Sequence, residues 1–367
     1  MRSKPNHLTV LLTLFFTIIV LVEISFSKNG FAKPITVKDS LGRIVELKKA
    51  AERVAFVHFS TAEALMILDA WDTAVTRDGF TSDKLVYPNL DELPTLSSGV
   101  GNMYQPNMEV IYSVDTDLLI LEVIPMSGIQ NLIERLETDL PVVAVRTYDP
   151  NELEVSFKNL GKLLNREREA AEYLAWYKNL NDTMLRKAGK LPEHQKTRLF
   201  YKTSFSGPSD VGTLSDKLNY IPARNKTTGC INVASNLPSQ GGWVPSVDPE
   251  WLASQEIDVL VIGDAQPGQY GFSVNDTSKL ADWRSKVMAL PVFADTKAVR
   301  NERVYMLSES FFGTPRFIVG FAFMAKWCHP ELFGDVDPTK IHQEYAMKFL
   351  RLGPDIADGG VFVYPEK

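Results

Sequence analysis

The chain is predicted to be an α/β protein of two lobes, each with a mostly parallel sheet, joined by a single long helix. Three observations predict this. Strand-like and helix-like segments alternate along most of the sequence, as parallel sheets with helices on their faces require. A twelve-residue phrase occurs twice: Glu109-Val110-Ile111-Tyr112-Ser113-Val114-Asp115-Thr116-Asp117-Leu118-Leu119-Ile120 is echoed by Glu250-Trp251-Leu252-Ala253-Ser254-Gln255-Glu256-Ile257-Asp258-Val259-Leu260-Val261. Each copy reads as a short amphipathic helix feeding a strand buried on both faces, with an exposed carboxylate in front. Between the copies, residues 151–189 keep helical spacing without a proline.

Taken in order, residues 1–32 read as a signal peptide. Arg2 and Lys4 precede the uncharged apolar run Leu8 to Val22, with Gly30-Phe31-Ala32 or Ser25-Phe26-Ser27 as the cleavage site. The run is shorter than the roughly 20 residues that span a bilayer. No cysteine stands near it for lipid attachment. The expected product is a soluble exported chain. An N-terminal lobe is expected over 33–150. Ile35 to Val37 and Ile44 to Leu47 form a hairpin around Ser40-Leu41-Gly42-Arg43. Arg53 to Val57 is a strand, and Ser60 with Glu63 reads as a capping box for the helix that follows. Ala74-Val75-Thr76 is a short strand. The first phrase, a helix over 128–137 and the strand Val142 to Val145 complete the lobe.

Over 151–189, Leu153, Phe157, Leu160, Leu164, Ala171, Leu174, Tyr177 and Met184 recur at helical spacing. A continuous helix there would approach roughly 50 Å, with Asn165 as the one candidate break. A C-terminal lobe is expected over 191–367. It contains a strand at Arg198 to Tyr201, a helix near 213–221, the second phrase, a strand at Arg303 to Leu307, and helices at Pro315 to Trp327 and Ile341 to Leu350.

Removing residues 1–32 takes away Arg2, Lys4, Lys28 and Glu23, leaving 36 basic and 44 acidic residues and a net charge of −8. That disfavours nucleic acid and anionic membranes as partners. Cys230 and Cys328 are the only cysteines. The simpler reading is two buried free thiols, with a disulfide left open. No CxxC is present.

Several stretches together resemble the solute-binding proteins of iron-siderophore, haem and cobalamin ABC importers. They are Asp39-Ser40-Leu41-Gly42-Arg43 with Glu52-Arg53-Val54; Gly101 and Pro106-Asn107-Met108-Glu109 through Ile120; Gly229 with Asn232-Val233-Ala234; Glu250 through Val261; and Thr314-Pro315-Arg316. The likeness covers about residues 35–352. Cys230 departs from it where the family often has a second glycine. The resemblance implies two Rossmann-like lobes joined by one rigid backbone helix, with the transported ligand in the cleft between them. It implies no intrinsic cofactor, and a metal chelate as cargo. It also implies a monomer whose Glu109 and Glu250 dock on the permease dimer of an ABC importer.

Ligands of α/β folds sit beyond the carboxyl ends of strands. That rule selects His58-Phe59-Ser60, Met103-Tyr104-Gln105, Glu122 to Ser127, Thr203 to Ser206, Gly241-Gly242-Trp243, Gln269 to Phe272 and Phe311 to Arg316. From these, His58, Phe59, Ser60, Tyr104, Phe205, Trp243, Tyr270, Phe272 and Arg316 are the candidate ligand-binding residues. Arg316 opens a helix, where a cation is electrostatically out of place, so it should serve an anion: a bound oxyanion or an internal carboxylate. His58 is an axial-ligand candidate for haem iron or cobalt, and Tyr104 and Tyr270 are phenolate candidates for Fe(III). Each also has an ordinary structural role available.

The expected function is capture of an iron chelate of siderophore type and delivery to an ABC importer. Cobalamin or another corrinoid, haem, and molybdate or tungstate are the alternatives on the same fold. An exported hydrolase is a remote alternative, for which no GxSxG or HExxH is present. Bare zinc or manganese is disfavoured, because apart from His7 only His58, His194, His329 and His342 remain.

Overall fold

The computed structural model describes residues 34–97, 105–124, 129, 132–133, 140–204, 207–218, 220–264 and 269–365. The signal-peptide reading and most of the expected helix 128–137 lie outside these residues, as do Tyr104 and Phe205. Among the described residues no helix is long and apolar enough to cross a membrane.

The N-terminal lobe opens with the expected hairpin, β1 (Ile35–Lys38) against β2 (Ile44–Leu47). Its central sheet is parallel, in the order β3 (Val54–Phe56), β6 (Leu118–Glu122), β7 (Val142–Val145). Two short parallel strands, β4 (Arg77–Asp78) and β5 (Thr95–Ser97), lie beside it. Helices α1 (Phe59–Ile67) and α2 (Met108–Ser113) follow β3 and precede β6. Every residue of β3, β6 and β7 is buried, which explains their unbroken apolar runs.

The C-terminal lobe has a five-stranded sheet, in the order β10 (Cys230–Asn232), β8 (Thr197–Ser204), β12 (Val259–Asp264), β13 (Val304–Ser308), β14 (Val363–Tyr364). Only β14 is antiparallel. A small hairpin pairs β9 (Thr213–Leu214) with β11 (Trp243–Val244). The main helices of this lobe are α5 (Ile221–Thr228), α6 (Pro249–Ala253), α7 (Ser278–Met288), α8 (Phe317–Cys328) and α9 (Pro338–Phe349).

The repeated phrase is the same joint built twice. Asp117 accepts the backbone N–H groups of Glu52 and Arg53 at 2.9 and 3.0 Å, fixing the start of β3 beside β6. Asp258 accepts the N–H of Arg198 at 3.0 Å, fixing β8 beside β12 in the same way. The arginine side chains then return the contact: Arg53 donates to the Val114 carbonyl and Arg198 to the Glu256 carbonyl. Ser113 and Ser254 donate to the carbonyls of Val110 and Trp251, each three residues back. The constant offsets of Ser and Asp therefore record local wiring of each half.

Residues 151–189 are two helices, not one. The break falls at Asn165, which takes a left-handed conformation (φ 55°) between α3 (Leu153–Leu164) and α4 (Glu167–Ala188). The chain folds back there, so that the Phe157 and Tyr173 rings pack at a tilt with centroids 4.4 Å apart. A continuous helix would hold them roughly 24 Å apart. Gly161 permits the fold: a Cβ on it would meet the Ala170 Cβ at 3.0 Å. Helix α3 belongs to the first lobe, where Asn159 donates to the Lys38 carbonyl of β1. The single connecting helix is α4, roughly 33 Å long. It packs on α1 in one lobe and on α5 and α8 in the other, and one continuous hydrophobic core passes beneath it through both lobes.

Three further expectations change. The Ser60–Glu63 capping box is not formed: His58 is the N-cap of α1, its Nδ1 accepting the Ser60 N–H at 3.0 Å. The helix near 213–221 is a strand, β9, and the helix begins at Ile221, where Pro222 suits the first turn. Cys230 and Cys328 form a disulfide with Cα atoms 6.7 Å apart, tying β10 to the end of α8.

Candidate interlobe binding site

The carboxyl ends of the two parallel sheets meet at a junction lined by rings. On the first lobe, β3 leads into His58 and Phe59, β6 ends at Glu122, and β7 runs into Thr147 and Tyr148. The His58 ring stacks on Phe59 (4.2 Å) and on Tyr148 (6.2 Å). Tyr148 crosses to the second lobe and meets Tyr220 edge to face at 5.9 Å. Tyr220 meets Phe312 at 5.2 Å, and Phe312 stacks on Tyr201 at 4.6 Å. Beside this file of rings, the half-buried Phe59 faces Gly313: a Cβ there would sit 3.1 Å from the Phe59 ring. Gly313 thus keeps room for an aromatic face at the solvent-facing edge of the junction. The loops also meet at Gly271, where a Cβ would sit 3.5 Å from an Asp83 carboxylate oxygen.

Behind the first-lobe rings lies a buried polar relay. Glu122 accepts the Thr147 N–H at 2.6 Å and the Thr147 hydroxyl at 2.7 Å, and Thr147 shares a 2.6 Å bond with the Ser60 hydroxyl. Burial pushes the Glu122 carboxyl up to about 8, against the pull of the Thr147 and Thr61 hydrogen bonds and of Arg146. Burial also lowers His58 to about 3, so its imidazole is neutral at physiological pH. With Nδ1 accepting from Ser60, its proton is on Nε2.

Arg316 serves an internal anion. Its guanidinium grips Glu63 of α1 with Nε–Oε distances of 3.0 and 2.9 Å and a further Nη2 bond. The Thr314 hydroxyl (2.9 Å) and the Tyr345 hydroxyl (2.6 Å) donate to the same carboxylate. The pair joins the two lobes and is buried on both sides. Burial lowers the Arg316 pKa, but the Glu63 charge and hydrogen bonds more than offset it and leave it raised. Phe272 belongs to this cluster: it packs on His342 and Phe362 (5.5 and 4.8 Å), with the Arg316 guanidinium 5.9 Å from its ring. Arg316 and Phe272 are therefore part of the clamp that holds the lobes together, and the anion reached by Arg316 is Glu63.

A comparison with protein families matches residues 54–310 to the periplasmic binding protein family. The chain belongs to that family. It is 24% identical over 321 residues to the Fe(3+)-citrate-binding protein YfmC of Bacillus subtilis (strain 168), covering 83% of this chain and 90% of that one. Among solved structures it is similar to the TroA-like periplasmic binding protein FepB from Veillonella parvula, with a TM-score of 0.74 and 22% identity over 90% of this chain and 99% of that chain. It is also similar to Helicobacter pylori CeuE in its Ni-His complex, with a TM-score of 0.70 and 18% identity over 89% and 98% of the two chains. The two-lobed α/β fold is thus that of the solute-binding proteins of ABC importers.

Within this periplasmic binding protein, the candidate residues fall into three groups. His58, Phe59 and Ser60 lie together at the junction. Trp243 and Tyr270 are both half-buried, Trp243 packing against the core that runs through both lobes and Tyr270 against the separate core of the C-terminal lobe. Arg316 and Phe272 sit in the clamp. Glu109 and Glu250 are both exposed and both second in a short helix, behind the N-caps Asn107 and Asp248. Among the described residues no three His, Cys, Asp or Glu side chains gather as a metal-binding group. The sequence reading did not single out Tyr148, Tyr220 or Arg224. The first was within reach, because Thr147 and Tyr148 lie just beyond the carboxyl end of β7.

Proposed function

We propose that this chain is an exported solute-binding protein that holds a ferric chelate at the ring-lined junction and presents it to an ABC permease. The carrying observation is the meeting of both sheets' carboxyl ends at one aromatic junction, where His58, Phe59 and Tyr148 face Tyr220, Phe312 and Gly313. Rings with a few polar anchors suit a bulky chelate presenting an organic shell. The similarity to an Fe(3+)-citrate-binding protein favours iron as the metal. In this reading His58 supplies a neutral imidazole face rather than an iron ligand, since its Nδ1 is already engaged. Residues 1–32 direct export and are removed.

Glu109 and Glu250 are the permease contacts in this proposal. Each stands exposed in a short helix at matching places of the two lobes, where paired charges orient a partner. Titration of the mature chain with ferric citrate, a ferric hydroxamate, haem, cobalamin and molybdate, followed by tryptophan quenching, tests the ligand. One-to-one binding of a ferric chelate in the micromolar range or tighter is expected; binding of none of the five overturns the proposal. Replacing both glutamates by alanine should abolish uptake while leaving chelate affinity unchanged. A fall in affinity instead would place them outside a docking role.

A further inference from the structure

Two arginines of the second lobe are buried close to the junction, and among the described residues only one of them has an ion-pair partner. Arg316 has Glu63. Arg224, on α5, is 1% exposed. Among the described residues its Nε and Nη2 donate only to the neutral amide oxygen of Asn225, at 3.3 and 3.0 Å. Its Nη1 has no hydrogen-bond partner among the described residues. The acid whose charge does reach it, Asp216, is engaged by the side-chain amides of Asn225 and Asn232. What Arg224 does have is rings: its guanidinium carbon lies 5.8 Å from the Tyr201 centroid and 5.9 Å from the Phe312 centroid.

Those rings are the inner end of the file that crosses the junction, so Arg224 stands directly behind the second-lobe wall of the site. Ring contacts recover part of the free energy of a buried guanidinium but do not replace an anion, and an uncompensated buried charge is strongly destabilising. A surface arginine would carry no such burden, so the free edge needs a partner that arrives from outside. We propose that Arg224 is the anion-recognising residue of this site, taking a carboxylate of the chelate's organic ligand through Nη1. The chemistry is the planar guanidinium–carboxylate match, with the low dielectric of the closed junction strengthening it. Access requires Tyr220 and Phe312 to move as the lobes part at the Tyr148–Tyr220 contact. The inference rests on the chelate-binding reading above and narrows it to chelates that carry carboxylates.

The test compares the mature wild type with Arg224→Leu and Arg224→Lys, using ferric citrate and a charge-neutral ferric trihydroxamate as probes, with melting of the ligand-free proteins alongside. The wild type should favour ferric citrate. Arg224→Leu should weaken ferric citrate binding by at least about thirtyfold while changing trihydroxamate binding little, and its ligand-free melting temperature should not fall. Arg224→Lys should recover part of the citrate affinity. Unchanged citrate affinity in Arg224→Leu, or a wild-type preference for the neutral chelate, overturns the role of Arg224 and leaves the chelate reading standing. So does a leucine variant that melts lower and loses both probes equally, or fails to fold, since Arg224 is then structural. Failure of the wild type to bind either probe overturns the chelate reading itself.

Discussion

Glu63→Ala is the perturbation that reaches furthest into this fold. Glu63 is fully buried and accepts from Arg316, Thr314 and Tyr345 at once, joining α1 of one lobe to α8 and α9 of the other. Removing it strands the Arg316 guanidinium among Phe272, Tyr345 and Phe362, and leaves the Tyr345 hydroxyl short of an acceptor. Breaking a buried ion pair by deleting one member costs about 3–5 kcal/mol, because the other charge stays desolvated. A lost acceptor for a buried hydroxyl adds about 1 kcal/mol or more, although Thr314 retains a second bond to the Ser310 carbonyl. The expected loss is therefore about 4–6 kcal/mol, a large part of the stability of a typical domain. Urea unfolding followed by tryptophan emission reads it. Replacing the pair together, Glu63→Met with Arg316→Met, should recover most of the loss, since two apolar side chains leave no orphan charge. A single-variant loss below about 1 kcal/mol, or losses that simply add in the double variant, would refute the view that this pair is one coupled clamp.

Two further perturbations probe the buried groups and the staple. Glu122 is raised to about 8 from an ordinary carboxyl value, so the folded state holds a proton that the unfolded chain releases. That contribution to stability is fully present below about pH 4.5 and is lost as pH rises to about 8, at up to about 1.4 kcal/mol per pH unit. His58, lowered to about 3, acts in the opposite sense between about pH 6.5 and 3, so pH 6.5–8 isolates Glu122. Denaturation midpoints across that window should fall in the wild type and flatten in Glu122→Gln; a wild type that is already flat there contradicts a buried, protonated Glu122. Reducing Cys230–Cys328, which closes a loop of sequence separation 98, should destabilise the protein by roughly 2–4 kcal/mol. A melting temperature indifferent to reductant would show that the bridge constrains nothing.

What was legible in the sequence was what is encoded locally. The doubled phrase announced two similar halves, and its Ser and Asp offsets correspond to hydrogen bonds made within each half. The break at Asn165 was visible as a candidate, but not the fold-back. The return of Phe157 onto Tyr173 depends on the small Gly161 facing Ala170, a tertiary fit that periodicity does not register. The Ser60–Glu63 pattern has the spacing of a capping box and is not one, because Arg316, 253 residues away, claims the carboxylate. His58 took the cap instead. The proximity of Cys230 and Cys328 likewise depends on where β10 and α8 finish in space. Arg316 was read from the sequence as a cation awaiting an anion, and its anion is an internal one. Arg224, just beyond the expected helix 213–221, gave no sign that its side chain is buried without an ion-pair partner.

The central claim is that the chelate sits where the carboxyl ends of the two sheets meet. Crystals of the mature chain grown with ferric citrate and measured at the iron absorption edge test this most directly. One anomalous peak is expected in the junction, between Phe59 and Tyr148 on one side and Tyr220, Phe312 and Gly313 on the other. An iron peak at the outer surface, or inside either lobe alone, would contradict it.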